Sequence, residues 1–89
     1  MPVEKSSTTV YTPLDDGTAV LLNVETLFYF SLNRTGAVLW QEIEANNSTT
    51  VDDLTRVVCE RFDVDLDEAR SEIDDFVRQL ERLKIVRIA

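Results

Sequence analysis

Apolar and polar residues alternate from Thr8 to Leu32, and from Arg34 onward the apolar positions recur every three or four residues. The first pattern predicts strands and the second amphipathic helices, so a β region is followed by an α region. The stretch Ala19–Trp40, AVLLNVETLFYFSLNRTGAVLW, joins the two. It predicts strands at Ala19–Asn23 and Leu27–Leu32, with a tight turn through Val24, Glu25 and Thr26 between them. In the first of these strands Val20 and Leu22 share a face opposite Leu21. In the second, Phe28, Phe30 and Leu32 share one face, and Leu27, Tyr29 and Ser31 the other. Large groups on both faces predict neighbours on both. None of the turn residues requires a positive φ, which points to type I geometry. An earlier strand is expected over Thr8–Tyr11, stopped by Pro13, and Asp15-Asp16-Gly17 supplies the next turn. Thr8–Leu32 therefore predicts a three-stranded antiparallel meander. Residues 1–7 are expected to be a flexible lead-in, and residues 8–89 a single domain.

The helices announce themselves by their caps. Asn33 suits an N-cap ahead of Arg34–Glu44, where Val38, Leu39, Trp40 and Ile43 give an apolar face. Gly36 in its first turn permits close approach to the sheet, and Asn46-Asn47-Ser48 ends it. Thr50-Val51-Asp52-Asp53 has a capping threonine with an acid three residues on, close to a capping box. Val51, Leu54, Val57, Val58 and Phe62 follow at helical spacing. Asp65 caps the third helix, with Glu68 placed to reach back. Its stripe of Ala69, Ile73, Phe76, Val77, Leu80 and Leu83 is the most regular helical period in the chain. Ile85-Val86-Arg87-Ile88 is β-prone and predicts a short terminal strand.

Composition narrows the function. At 89 residues and 44% hydrophobic, the chain suits one small domain with a packed core. No apolar run approaches 18 residues, and Met1–Thr9 is too polar for a secretory signal. A cytoplasmic location, with no membrane contact, is therefore expected. The single cysteine, Cys59, falls in a helical apolar rhythm and reads as a small buried hydrophobe. There is no histidine, so the commonest metal ligand and general base is missing. Asp63, Asp65, Asp67 and Asp74 are spaced somewhat like a calcium loop. The turn glycine of such a loop is here Glu68, and helix caps already account for the acids. Asp52-Asp53 and Asp74-Asp75 point apart on a helix and read as solvated faces. Serines and threonines cluster in loops without a base, and no glycine-rich loop offers to hold a phosphate. No catalysis, cofactor or metal is expected. Net charge is −8, and residues 41–68 hold nine acids against Arg56 and Arg61 alone. That field disfavours nucleic acid as a partner. Trp40, Phe28 and Phe30 are expected in the core, whereas Tyr29 either decorates the sheet or belongs to a docking surface.

A three-stranded meander followed by three helices is an α+β, winged helix-turn-helix-like arrangement. The runs LLNVETLFYFSLNRTGAVLW and TTVDDLTRVVCERFDVDLDEARSEIDDFVRQLERLKIV resemble the PqqD-like family, the peptide-binding domains also called RiPP recognition elements. The resemblance rests on the apolar strand ending in Leu32-Asn33, Thr35-Gly36 before the helix with Trp40, and Thr50-Val51 with Leu54. It continues through Phe62-Asp63-Val64-Asp65 and a last helix with Phe76, Leu80 and Leu83. It covers residues 8–88, and its one departure is Leu83-Lys84-Ile85, where the family often has a glycine.

The resemblance implies a non-catalytic module that binds the leader of a ribosomally made precursor peptide. The module would present it to a modifying enzyme such as a radical SAM protein, a leader peptidase or a cyclase. In the family the leader adds as an antiparallel strand beside the third strand, in a groove bordered by the third helix. Carried onto this chain, that strand is Leu27, Phe28, Tyr29, Phe30, Ser31 and Leu32. The third helix has two flanks beside its core stripe: Arg70, Asp74, Val77 and Glu81 on one, Glu72, Phe76, Gln79 and Leu83 on the other. The first row is taken as the groove wall, with Val77 in apolar contact and Arg70 or Asp74 setting register. Two other readings share the fold. One is a winged-helix DNA-binding regulator, which the exposed Glu72, Asp74, Asp75 and Glu81 oppose. The other is a structural adaptor subunit of a maturation enzyme.

Overall fold

A computed structural model describes residues 2–46 and 49–88. In chain order the elements are β1 (Val3–Lys5), β2 (Thr9–Pro13), β3 (Ala19–Asn23), β4 (Tyr29–Leu32), α1 (Arg34–Ala45), α2 (Val51–Arg61), α3 (Leu66–Arg82) and β5 (Val86–Ile88). The α+β class, a three-stranded antiparallel meander followed by three helices, is as expected. β2, β3 and β4 lie side by side in that order, and β1 pairs separately with β5. Alternation sends Ala19, Leu21, Asn23 and Leu32 to the buried face, against Trp40 and Ile43 of α1, Leu54 of α2, and Val77 and Leu80 of α3.

Local chemistry positions the helices. Asn33 Oδ1 accepts from Gly36 N at 2.8 Å and opens α1. A Cβ on Gly36 would sit 3.2 Å from Leu32 Cδ2, so glycine is what lets α1 start hard against the end of β4. Thr50 and Asp53 exchange both bonds of a capping box at 3.1 Å. Asp65 Oδ2 accepts from Glu68 N at 3.1 Å; among the described residues the expected return bond from the Glu68 side chain is not made. Of the expected terminator of α1, Asn46-Asn47-Ser48, Asn46 is the C-cap, and Asn47 and Ser48 lie outside the described residues.

The structure departs from the sequence reading in three places. First, Val3–Lys5 are not a flexible lead-in but form β1. Val3 is buried, its N–H donates to Thr49 O at 2.6 Å, and Glu4 and Lys5 pair with Arg87 and Glu44. A three-residue strand carries no readable period, and its partner lies some 80 residues away. Second, Leu27 and Phe28 belong to the turn, and β4 starts at Tyr29. Leu27 adopts φ +66°, so the loop does need a left-handed residue. The buried Asn23 is the reason: its Oδ1 accepts from Glu25 N at 2.9 Å and Thr26 N at 3.3 Å, winding the chain past a simple type I turn. Third, among the described residues β4 has a neighbour on one face only. Tyr29 is 69% exposed on the outer face, and Phe28 is half-exposed rather than in the core.

Candidate functional site

β4 is an edge strand, with β3 on one side and no paired strand on the other among the described residues. The phase of its ladder decides which groups are free. Asn23 N donates to Phe28 O at 2.9 Å, so this is a hydrogen-bonded position. Antiparallel ladders alternate, so Phe30 opposite Leu21 and Leu32 opposite Ala19 also face β3. Tyr29 and Ser31 therefore turn their N–H and C=O groups to the open side.

Beside that edge lies a groove of about 580 Å³. One wall is Phe30, Ser31 and Leu32, continued by Asn33, Thr35 and Gly36 at the start of α1. The opposite wall is the α2–α3 connection, Phe62 to Asp65, followed by Glu68, Glu72 and Phe76 on α3. Leu39, Val58, Ala69 and Ile73 complete the apolar lining. The Phe30 and Phe76 rings meet edge to face at 6.0 Å and 69°, joining strand and helix. The arrangement offers main-chain pairing along a strand next to a slot for apolar side chains. Among the described residues no group of three or more His, Cys, Asp or Glu is placed to hold a metal. No described helix is long and apolar enough to cross a membrane.

Of the residues singled out from the sequence, Phe30, Ser31 and Leu32 line the groove and Tyr29 stands at its edge. Leu27 and Phe28 lie in the preceding turn, exposed. The row Arg70, Asp74, Val77 and Glu81 is not on the groove. Val77 is 1% exposed and packs in the core. Arg70 pairs with Asp52 of α2, and Asp74 with Arg78 at 2.8 Å. Asp74 and Glu81 line a separate shallow cleft with Val3, Val51 and Ile88, where β1 and β5 meet α2 and α3. The flank turned to β4 is the alternative one, through Glu72 and Phe76. Sequence reasoning misses Phe62, Val64 and Thr35 as groove residues. An aromatic at Phe76, on the flank rather than the centre of the stripe, is the signal it offers.

Ionisation is perturbed away from the groove. Capping bonds from Thr50, backbone first and hydroxyl second, hold the Asp53 carboxyl below its ordinary value near 3.8. In the β2–β3 turn the Thr18 hydroxyl first, and its backbone N–H second, hold the Asp16 carboxyl below its ordinary value.

Residues 18–86 match the family described as coenzyme PQQ synthesis protein D (PqqD). No curated protein matches the chain in sequence. Two solved structures share the fold. One, described as TbiB1 in complex with the TbiA(beta) leader peptide, is 23% identical with a TM-score of 0.86, covering 97% of this chain and 96% of that one. The other, lasso peptide synthetase B1 complexed with the leader peptide, is 19% identical with a TM-score of 0.80, covering 99% of this chain and 100% of that one.

Proposed function

Since the chain belongs to the PqqD family, we propose that it captures the leader of a ribosomally synthesised precursor peptide and presents it to a modifying enzyme. The observation that carries this reading is the open edge of β4 beside the groove against α3. A peptide strand laid along that edge pairs with the outward main-chain groups of Tyr29 and Ser31, and so gains affinity without reactive chemistry. Its alternate side chains enter the slot over Phe30, Phe62 and Phe76. Both fold neighbours are described as complexes with a leader peptide, which agrees with this use of the same architecture.

The protein acts as a single domain, in the cytoplasm, without catalysing a reaction. Its binding surface is Tyr29–Leu32 together with Glu72 and Phe76, in place of the row through Arg70 and Glu81. Its enzyme partner is a radical SAM protein, a leader peptidase or a cyclase. The groove's acidic rim and the charge of −8 oppose a DNA-binding role.

Fluorescence anisotropy with the labelled leader half of a precursor peptide encoded beside the gene tests the proposal. Wild-type protein is expected to bind it with micromolar affinity or better, to ignore a scrambled peptide, and to bind several-fold more weakly as Phe76→Leu. A protein that co-purifies with the modifying enzyme yet binds no leader would favour the adaptor reading instead.

A further inference from the structure

Resting on the leader-binding reading, we infer that the segment received by the groove carries a basic side chain two to four residues from its apolar anchor. Among the described residues four carboxylates line the groove, those of Asp63, Asp65, Glu68 and Glu72, and no lysine or arginine does. Of the five arginines of α2 and α3, Arg56 pairs with Asp53, Arg70 with Asp52 and Arg78 with Asp74, and Arg61 and Arg82 do not line the groove. Among the described residues none of the four groove carboxylates has an ion-pair partner.

Helix capping accounts for part of this acidity. Asp65 is the N-cap of α3 and Glu68 lies in its first turn, where the helix dipole favours anions. Neither reason extends to Asp63, two residues ahead of the cap, or to Glu72, in the second turn. Glu68 and Glu72 are also four apart on one helix, a like-charge spacing that repels until a cation comes between them. The groove is therefore electrostatically incomplete on its own, and a basic group supplies what it lacks.

Helix geometry sets the spacing. Phe76, in contact with Phe30, marks the place of the apolar anchor. Glu72 and Glu68 precede it by four and eight residues, roughly 6 and 12 Å along the helix axis. An extended peptide advances about 3.3 Å per residue, which puts the basic residue two to four positions away. The methylene stem of a lysine or arginine lies well on the apolar lining while its head reaches the rim.

Selection of a displayed library of random dodecapeptides on the full chain tests this, since the library itself is the probe and no particular leader has to be chosen. Lysine or arginine is expected to be enriched two to four positions from an aliphatic or aromatic anchor. Selected peptides should lose about tenfold in affinity when that residue becomes glutamate, with the ratio shrinking in high salt. In the double variant Glu68→Gln, Glu72→Gln the ratio should fall to near one. Peptides that shift the Tyr29 and Ser31 amides yet show no basic preference at that spacing, or keep it in the double variant, would overturn this inference alone. Selected peptides that leave those amides unshifted would overturn the leader-binding reading beneath it.

Discussion

Asn23 is 2% exposed at the end of β3, and its amide holds the site together at one end. Oδ1 accepts from Thr8 Oγ1 and from the N–H groups of Glu25 and Thr26, while Nδ2 donates to Lys84 O at 2.8 Å. One side chain thereby ties the turn that launches β4 to the connection that follows α3. Leaving those groups unpaired is expensive, so Asn23→Ala is expected to lose about 2–4 kcal/mol of stability in urea denaturation. Tyr29 tests the other half of the edge. Its N–H faces away from β3, so Tyr29→Pro removes no ladder bond and should leave the melting temperature nearly unchanged. Leader affinity should nonetheless fall at least about tenfold, against a milder loss in Tyr29→Ala. Equal and negligible effects of the two substitutions on measured affinity would count against strand addition here. Asn23 also explains why the sequence pattern misplaces Leu27 in a strand. Leucine disfavours a positive φ, and nothing in its own neighbourhood announces a buried amide winding the loop.

α3 ends in a Schellman motif, with Lys84 N donating to Glu81 O at 3.0 Å and Ile85 N to Leu80 O at 2.9 Å. Lys84 holds φ +58° at the position of such a motif that usually takes glycine. Lys84→Gly should therefore stabilise the fold by roughly 0.5–1 kcal/mol in thermal or urea melts. The capping box of α2 carries a pH signature. The folded Asp53 pKa is depressed, so its contribution is present above the ordinary carboxylate range and is lost as pH falls through the lowered value. The stability gap between wild type and Asp53→Ala should accordingly narrow on acidification; a gap constant with pH would deny the cap its ionic character. Helices and caps are legible because their signals lie within a few residues of one another. The flank of α3 that meets β4 is not. A helix shows two equivalent shoulders to either side of its core stripe, and only the docked strand distinguishes Glu72 and Phe76 from Arg70 and Asp74.

At the scale of the molecule, β1 and β5 pair with each other and line no part of the groove, and among the described residues the β4 edge is left open beside it. β1 escapes a sequence reading because its strength is non-local: Val3 is wholly buried against elements distant in the chain. Val3→Ala is expected to cost roughly 2 kcal/mol in chemical denaturation while leaving leader affinity within a factor of about two. Loss of binding in parallel with stability would mean that the groove depends on this closure. If a peptide completes the sheet at β4, amide hydrogen exchange reads it residue by residue. In the free protein the Phe30 and Leu32 amides should be protected by β3, and those of Tyr29 and Ser31 should exchange freely. Saturating leader peptide should slow Tyr29 and Ser31 selectively, producing protection at every residue of the strand. A bound peptide that leaves Tyr29 and Ser31 exchanging as before would contradict the account.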